Sequence, residues 1–200
     1  MTVDATDLDP NPLVQLQRWM AAAQGAGVAE PNAMVVATAT PDGRPSSRTV
    51  LAKEVDADGI VFFTNYESRK GRELLANPHV AATLAWPAIG LQVCVRGTAA
   101  RVDEHDSDQY FASRDRLSQL GAWASPQSTP LLDRDELDTR LAAVLARFEG
   151  QEVPRPPHWG GVRITPESVE LWVRGDGRLH DRFGYARQEA GGWSVTRLAP

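Results

Sequence analysis

Cysteine is almost absent from the sequence: Cys94 is the single one among 200 residues, so the chain cannot form an intramolecular disulfide. The four histidines are scattered and no CxxC or HExxH motif occurs, so we predict no metal site. No segment approaches the roughly 18 consecutive apolar residues of a membrane helix. The acidic N-terminus "MTVDATDLDP" lacks the features of a secretory signal or transit peptide, and together with the single cysteine it leads us to expect a cytoplasmic protein.

Lysine is also scarce, since only Lys53 and Lys70 are lysines among the 21 basic residues. The net charge of −5 argues against nucleic acid or an acidic membrane as the main partner. Each lysine lies in a segment that also carries arginine, "RTVLAK" and "SRKGRELL". These two segments therefore concentrate positive charge in an otherwise acidic chain.

The hydrophobic content of 42% fits one globular domain over residues 1–200, of which about the first nine are expected to form a flexible tail. Apolar residues at helical spacing predict an opening helix from Asn11 to about Ala23. Two strands should flank the turn "PDG" in "NAMVVATATPDGRPSSRTVLAK". Further strand-like runs are "GIVFFTN", "HVAATLAW", "LQVCVRGTAARV", "GVRITP", "SVELWVRG", "RLHDRFGYAR" and, as a possible last one, "GWSVTRLA".

Helices interrupt these strands. Ser68 is a candidate N-cap for a short helix in "SRKGRELLANP", and "EHDSDQYFASRDRLSQLGAWAS" predicts a helix in two pieces. Asp133, with Glu136 three residues later, predicts the start of another helix. Its buried stripe should comprise Leu137, Leu141, Val144, Leu145 and Phe148. Hairpin-connected strands with inserted helices favour a mainly β, α+β fold, an antiparallel barrel with helices packed around it, rather than a doubly wound sheet.

The segment "SRKGRELL" places Arg69 and Lys70 in the first turn of a helix, where the helix dipole disfavours cations. A bound anion would remove that penalty, with backbone N–H groups contributing. Alternatively, both side chains extend into water. Arg48 and Lys53 of "RTVLAK" would point to opposite faces of a regular strand, so they serve different anions or lie where two surfaces meet.

Tyr110, Arg114 and Ser118 are spaced i, i+4 and i+8, so on a continuous helix they share one face. Two hydroxyls and a guanidinium on one face suit a phosphate, although a solvated polar stripe is an equally good interpretation. Gln92 leads an apolar strand, where its amide needs partners if it is buried. Gln127 and Ser128 lie in a turn with hydrogen-bonding capacity but weak specificity.

Arg178, His180 and Arg182 follow one another at two-residue spacing, so on a strand they point to the same side of a sheet. Three such groups repel one another unless water or an anionic partner lies against them. Trp172, like Phe63 and Thr64, either packs in the core or walls a flat ligand. Because no nucleophile–base pair or carboxylate pair stands out, the pattern favours a phosphorylated planar cofactor that supplies the chemistry.

Long motifs in a fixed order then link the chain to a known family. They are "EPNAMVVAT", "GRPSSRTVLAK", "VFFTN.ESRKGRELLANP", "YFASR...SQLGAWASPQS", "PRPPHWGGVRI", "RLHDRFGY" and "RLAP". From about Asp9 to Pro200 the chain closely resembles the pyridoxine/pyridoxamine 5′-phosphate oxidase family. The resemblance implies an FMN-binding split β-barrel, a homodimer with active sites at the subunit interface, and a C-terminal dimerisation and active-site segment over about residues 153–200.

The resemblance also implies roles for individual residues. The implied FMN contacts are Arg48, Thr49, Val50, Leu51, Lys53, Phe63, Thr64, Arg69, Lys70, Gln92, Gln127, Ser128, Trp172 and Arg182. The implied substrate contacts are Lys53, Tyr110, Arg114 and Ser118 at the phosphate, with Arg178 and His180 as the catalytic pair that frames the pyridine ring.

The implied reaction belongs to vitamin B6 metabolism. A hydride passes to FMN from C4′ of pyridoxine or pyridoxamine 5′-phosphate, and oxygen reoxidises the flavin, which yields pyridoxal 5′-phosphate and peroxide. Alternatives are a sister oxidase of the phenazine-biosynthesis type, a deazaflavin-dependent reductase and a non-catalytic FMN or pyridoxal-phosphate carrier. Some family features are missing: the N-terminal extension has no counterpart before Asp9, Asp115 stands in place of Pro, Val173 in place of Gln, and no Arg precedes Gln92.

Overall fold

A computed structural model describes residues 3–200 and contains nine strands and five α-helices within that range. The strands are β1 Ala33–Ala39, β2 Pro45–Leu51, β3 Glu54–Val55, β4 Ile60–Asn65, β5 His79–Trp86, β6 Leu91–Arg101, β7 Trp159–Val173, β8 Asp181–Arg187 and β9 Trp193–Leu198. The helices are α1 Pro12–Gly25, α2 Arg69–Ala76, α3 Glu104–Ser113, α4 Arg116–Ala124 and α5 Arg134–Arg147. None of the helices in the described range is long and apolar enough to cross a membrane.

All strand pairs are antiparallel, in the order β2-β1-β5-β6-β7-β4-β3, with β8 on β7 and β9 on β8. The strands curl into the half-open barrel that hairpin connections and inserted helices predict. The long strand β7 pairs with β6, with β4 near its start and with β8 near its end. It therefore connects the two ends of the barrel.

The separate strands predicted for "GVRITP" and "SVELWVRG" are wrong, because β7 runs continuously through both. Pro166 lacks a backbone N–H and would normally interrupt a central strand. The register between β7 and β6 shifts between Arg96 and Gly97, opposite this proline. This β-bulge accommodates a residue that cannot donate a backbone hydrogen bond to the neighbouring strand. A Cβ on Gly97 would lie 2.0 Å from the carbonyl oxygen of Thr165, so the close approach of the two strands requires glycine here.

The main core fills the barrel and is closed on one side by α1. Asn11 caps this helix by accepting a hydrogen bond from the Leu13 backbone N–H (3.0 Å). Apolar side chains at helical spacing, among them Leu16 and Trp19, then turn into the barrel. A second cluster around Phe111 and Trp159 lies beneath α3, α4 and α5. It fixes the helices that form one wall of the candidate site.

Two expectations for the periphery are corrected. The stripe on α5 is only half-buried apart from Phe148, and Leu145 is 45% exposed, because α5 packs chiefly against α4 and not into the barrel. The described part of the expected flexible tail instead packs against the C-terminal strands. The Val3 backbone N–H donates to Asp181 (3.0 Å), and Leu8 is buried. Residues 1 and 2 of that tail lie outside the described range.

Candidate active site

Two adjoining cavities, of about 510 and 420 Å³, lie between the β2–β4 end of the barrel and the helices, and they share Thr49, Lys70 and Gln127. Predicted site residues that line the larger cavity are Thr49, Val50, Leu51, Lys53, Phe63, Thr64, Lys70, Tyr110, Arg114, Ser118 and Gln127. Those that line the smaller one are Arg48, Thr49, Arg69, Lys70, Gln127 and Ser128. A third cavity, about 530 Å³ beside α1, shares Lys53 but is lined by no other cation.

The smaller cavity is cationic because of how α2 begins. Ser68 caps the helix as predicted, accepting from the Gly71 N–H (3.2 Å), and the next two residues are Arg69 and Lys70. The Lys70 side chain is buried, and its Nζ donates to Thr64 Oγ1 (2.9 Å) and Gln127 Oε1 (2.8 Å). The pKa of Lys70 is lowered to about 8, chiefly by burial of the ammonium group and to a lesser extent by the positive charge of Arg48.

A buried carboxylate behind this cavity was not identified from the sequence. Glu73, 6% exposed, accepts from Arg69 Nε (2.9 Å) and lies 3.6 Å from Arg48 Nη2. Burial alone would raise the pKa of Glu73, but hydrogen bonds from Ser46, Thr38 and Arg69 lower it to about 2. The i, i+4 spacing of Arg69 and Glu73 was the sequence signal for this pair.

Aromatic rings and a guanidinium form the far wall of the larger cavity. Phe63 stacks on Tyr110 with ring centroids 3.8 Å apart, and the nearly parallel Trp159 ring lies 5.5 Å from Phe63 and 6.2 Å from Tyr110. The Arg114 guanidinium lies 4.6 Å from the Trp159 ring centroid, and burial lowers the pKa of Arg114. Its Nη1 atom is buried and has no hydrogen-bond partner within residues 3–200. An unpartnered buried guanidinium nitrogen calls for an anion or another acceptor.

Tyr110, Arg114 and Ser118 do not lie on one face of a continuous helix, so that prediction is wrong. Asp115 accepts from the Ser118 backbone N–H (2.9 Å) and starts α4, so Arg114 has an extended backbone (φ −74°, ψ 150°) between two helices. The three side chains nevertheless line the same cavity, because the break between α3 and α4 turns Arg114 inward.

The remaining predicted residues lie at the other end of the barrel. Gln92 on β6, Trp172 on β7 and Arg182 on β8 stand side by side in the sheet. The His180 ring centroid is 4.4 Å from that of Trp172. The Gly175 N–H donates to His180 Nδ1 (3.2 Å), so the neutral imidazole carries its proton on Nε2.

The strand predicted through Arg178, His180 and Arg182 is also corrected, since β8 begins only at Asp181. Arg178 ends a short 3₁₀ turn with φ 66°, a left-handed conformation that costs a non-glycine residue about 1 kcal/mol. Arg182 is held by Glu170 through Nε–Oε1 (2.8 Å) and Nη2–Oε2 (3.1 Å). The three side chains therefore do not share a strand face.

The two groups of predicted site residues are far apart within one chain. Phe63 pairs with Gly161 on β7, whereas Gln92 pairs with Trp172, eleven residues further along the same strand. At ~3.3 Å per residue, a separation of that length corresponds to roughly 36 Å. One small molecule does not bridge both groups in the same chain.

Comparisons with known proteins identify the fold and the family. A solved structure of a pyridoxamine 5′-phosphate oxidase-related, FMN binding protein from Nostoc punctiforme superposes with a TM-score of 0.72 at 16% identity, each chain fully covered, and shares the fold. PhzG from Burkholderia lata, solved with tetrahydrophenazine-1-carboxylic acid, gives a TM-score of 0.92 at 36% identity over 100% of this chain and 98% of that one. The fold is that of the FMN-binding split barrels.

Family models narrow the class further. Residues 20–148 match the model described as pyridoxamine 5′-phosphate oxidase, and residues 159–200 match the pyridoxine 5′-phosphate oxidase C-terminal dimerisation region. The chain belongs to the pyridoxamine 5′-phosphate oxidase family. Proteins named pyridoxine/pyridoxamine 5′-phosphate oxidase are 57% identical in Rubrobacter xylanophilus (96% of this chain, 88% of that one) and 51% identical in Ralstonia nicotianae (100% and 93%).

Proposed function

We propose that the chain is an FMN-dependent oxidase that converts pyridoxine or pyridoxamine 5′-phosphate to pyridoxal 5′-phosphate, with oxygen as the acceptor and peroxide as the co-product. From the amine, water hydrolyses the oxidised C4′ imine and ammonia leaves. The observation that carries this proposal is the buried Nη1 of Arg114, which has no partner among the described residues 3–200. It lies beside Lys53 and Tyr110, next to a second cationic cavity. Two anion sites side by side suit a phosphorylated cofactor and a phosphorylated substrate. The relatives' names support the same activity.

The residues at the smaller cavity fit FMN. Arg48, Arg69 and Lys70 offer three cations to a ribityl phosphate, and a dianion would relieve the desolvation of the buried Lys70 ammonium. Gln127, whose Oε1 accepts from Lys70, joins the two cavities and is placed to contact the same ligand. Bound FMN would supply the redox chemistry, accepting a hydride from C4′ and delivering the electrons to oxygen.

A homodimer would complete the site. The C-terminal dimerisation region that the family model matches contains Trp172, Arg178, His180 and Arg182. We infer that these residues and Gln92 approach the two cavities of the second chain, because they lie too far from the cavities of their own. The outward face of β1, β5 and β6 carries Val35, Thr83 and Cys94 together with the exposed Arg96 and His79, and this mixture of apolar and polar groups suits contact with a second copy.

The chain's own groups would then orient the substrate. Arg114 holds the substrate phosphate together with Lys53, Tyr110 and Ser118, and fixing the phosphate limits where C4′ can lie. Arg178 and His180 frame the pyridine ring from the second chain. Since Nδ1 of His180 accepts a backbone hydrogen bond, its Nε2–H is the atom free to donate to the substrate.

Oxygen uptake by the FMN-loaded protein tests the reaction, with pyridoxine 5′-phosphate and pyridoxamine 5′-phosphate offered separately and the aldehyde followed by absorbance. Uptake equal to aldehyde formation supports the proposal. A yellow protein that binds either compound without consuming oxygen would identify a carrier. Turnover of a tricyclic aromatic substrate alone would favour the second candidate, an oxidase like PhzG, which the TM-score of 0.92 makes the main alternative.

Mixed dimers test the two-chain site. Arg114→Ala and His180→Ala homodimers should each be nearly inactive. If each site takes Arg114 from one chain and His180 from the other, random subunit exchange should restore about one quarter of wild-type activity, since half of the dimers are mixed and each of these has one intact site. Exchange without recovery would place both residues in the same site of one chain. The expected cytoplasmic location stays a prediction.

A further inference from the structure

We infer that Glu73 is a positioning residue: it orients the guanidiniums of Arg48 and Arg69 toward the phosphate of FMN. The inference rests on the proposed FMN site and assigns a role to a residue that does not face the ligand. Glu73 is on the second turn of α2, behind the smaller cavity, and is 6% exposed.

Two hydroxyl groups connect the carboxylate to Arg48. Thr38 Oγ1 and Ser46 Oγ both donate to Glu73 Oε2, the latter at 2.5 Å. Arg48 in turn donates from Nη1 to Thr38 Oγ1 (2.7 Å) and from Nη2 to Ser46 Oγ (2.5 Å). An ionised carboxylate can only accept, so it directs both hydroxyl protons toward itself and leaves their lone pairs for the guanidinium. The orientation of Arg48 therefore depends on the charge state of Glu73.

The other carboxylate oxygen holds the second guanidinium. Glu73 Oε1 accepts from Arg69 Nε at 2.9 Å, although the Arg69 side chain is 60% exposed. An exposed arginine without such a contact would sample many rotamers, and ordering it on binding would weaken affinity. Glu73 thus fixes one arginine directly and the other through two hydroxyls, and both line the same cavity.

The charges also match the proposed ligand. Arg48, Arg69 and Lys70 contribute three positive charges and Glu73 one negative charge, so the cluster carries a net charge of about +2, equal and opposite to a phosphate monoester dianion. Without the carboxylate, three cations would repel one another in the unliganded protein. Glu73 therefore allows the cations to stay together before the anion arrives.

Glu73→Gln should change the affinity for FMN in opposite directions depending on whether Glu73 positions the arginines or only compensates their charge. If Glu73 only offsets charge, its removal makes the cavity more positive and FMN binds more tightly. If it positions the arginines, the glutamine amide donates to the two hydroxyls, these turn toward Arg48, and FMN binds more weakly. We expect the Kd for FMN to rise ~10-fold, the scale of one charge-assisted hydrogen-bonding arrangement lost.

Apoprotein titrations with FMN and with riboflavin, followed by flavin fluorescence, provide the measurement. Riboflavin lacks the phosphate, so its Kd should be equal for wild type and Glu73→Gln. At saturating FMN the variant's kcat should return to the wild-type value. Asp138→Asn is the matched control, because Asp138 also pairs with an arginine four residues away on a helix but is exposed and distant from the cavities. It should change neither Kd.

Each outcome separates this inference from the function on which it rests. A wild-type protein that binds riboflavin as tightly as FMN overturns the phosphate site and the Glu73 inference together. A wild-type preference for FMN that Glu73→Gln retains or strengthens overturns the role of Glu73 alone. If Glu73→Gln fails to fold, Ser46→Ala at a half-buried position provides the test. About 3-fold weaker FMN binding supports the positioning of Arg48 by Glu73 through the Ser46 hydroxyl, and unchanged binding contradicts it.

Discussion

Positive charge is compensated differently at the two ends of β7. At the β4 end, Arg48 and Arg69 share the carboxylate of Glu73, and Lys70 donates to the uncharged Thr64 and Gln127. Arg114 keeps a buried nitrogen unpartnered within residues 3–200. The result is a surplus of positive charge facing a cavity.

At the β8 end, two strand arginines, Arg182 and Arg197, are paired with carboxylates. Arg182 is bound by Glu170, and Arg197 is bound by Asp181 (2.5 Å) and Asp4 (2.8 Å). This end also places His180 beside Trp172, and both side chains are half-buried. The difference is that cations at the β4 end face a cavity with few carboxylates around them, whereas Arg182 and Arg197 at the β8 end are bound by carboxylates.

Removing Arg114 should produce the largest effect, because it deletes the guanidinium whose buried Nη1 has no partner in the described part of the chain. We expect Arg114→Ala to lower kcat/KM by ~100-fold or more, chiefly through KM, as loss of charged hydrogen bonds of about 3 kcal/mol would do. Steady-state oxygen uptake measures this. Arg134→Ala, which removes an exposed arginine paired on α5, is the control. An unchanged KM in Arg114→Ala would remove Arg114 from the phosphate site.

The pH dependence of FMN binding sharpens the comparison at Lys70. In the unliganded protein the pKa of Lys70 is lowered to about 8, and a bound dianion should raise it again. FMN affinity should therefore be greatest below pH 8 and fall by up to about tenfold per pH unit above it. Lys70→Met should weaken binding and remove that pH dependence. Titration of the apoprotein at pH 7, 8 and 9 tests this, and a flat wild-type profile would contradict it.

Acid should weaken the β4 end selectively through Glu73. Its folded-state pKa of about 2 is below the ordinary value of 4.5, so its contribution to stability is complete above pH 4.5 and is lost as pH falls toward 2. We expect Glu73→Gln to cost ~1–3 kcal/mol at pH 7 and much less at pH 3. Urea unfolding of both apoproteins at the two pH values checks this. A difference that does not depend on pH would contradict the assigned pKa.

The smallest effect should follow from opening an ion pair at the β8 end. Glu170→Gln removes the partner of Arg182, and both side chains of the pair are partly exposed to water (32% and 22%). Screened pairs of this kind contribute less than about 1 kcal/mol. Urea unfolding at pH 7 should therefore barely distinguish the variant from wild type. A larger loss would mean that the β8 end depends on its charges as the β4 end does.

Local signals in the sequence predicted most of the fold. The cap residues Ser68 and Asp133 start helices as expected, since their side chains accept from backbone N–H groups a few residues ahead. The failures occurred where distant contacts override local preference. Pro166 lies within a strand because Gly97 on the neighbouring strand adjusts its register, and no pattern around Pro166 records that adjustment.

The candidate site was predictable in composition but not in arrangement. Arg69 and Lys70 were found from their position at a helix start, which is a local property. Glu73 was missed because its hydroxyl partners Thr38 and Ser46 lie on the β1–β2 hairpin, far from α2 in the sequence. The spacing on the helix indicates only the ion pair with Arg69 and not these tertiary hydrogen bonds. The spacing of Tyr110, Arg114 and Ser118 predicted that the three side chains lie together, and they do line one cavity. The continuous helix assumed for that prediction is broken at Arg114.

Because β7 is continuous, we expect its two ends to unfold together and not separately. Its fifteen residues are hydrogen-bonded to β6 throughout most of their length, to β4 at one end and to β8 at the other. Neither end can detach from the sheet without exposing the backbone of the same strand, so its amide protons should exchange with solvent slowly and as one group. The end beside the two cavities and the end that carries Trp172 and His180 thus belong to one cooperative unit.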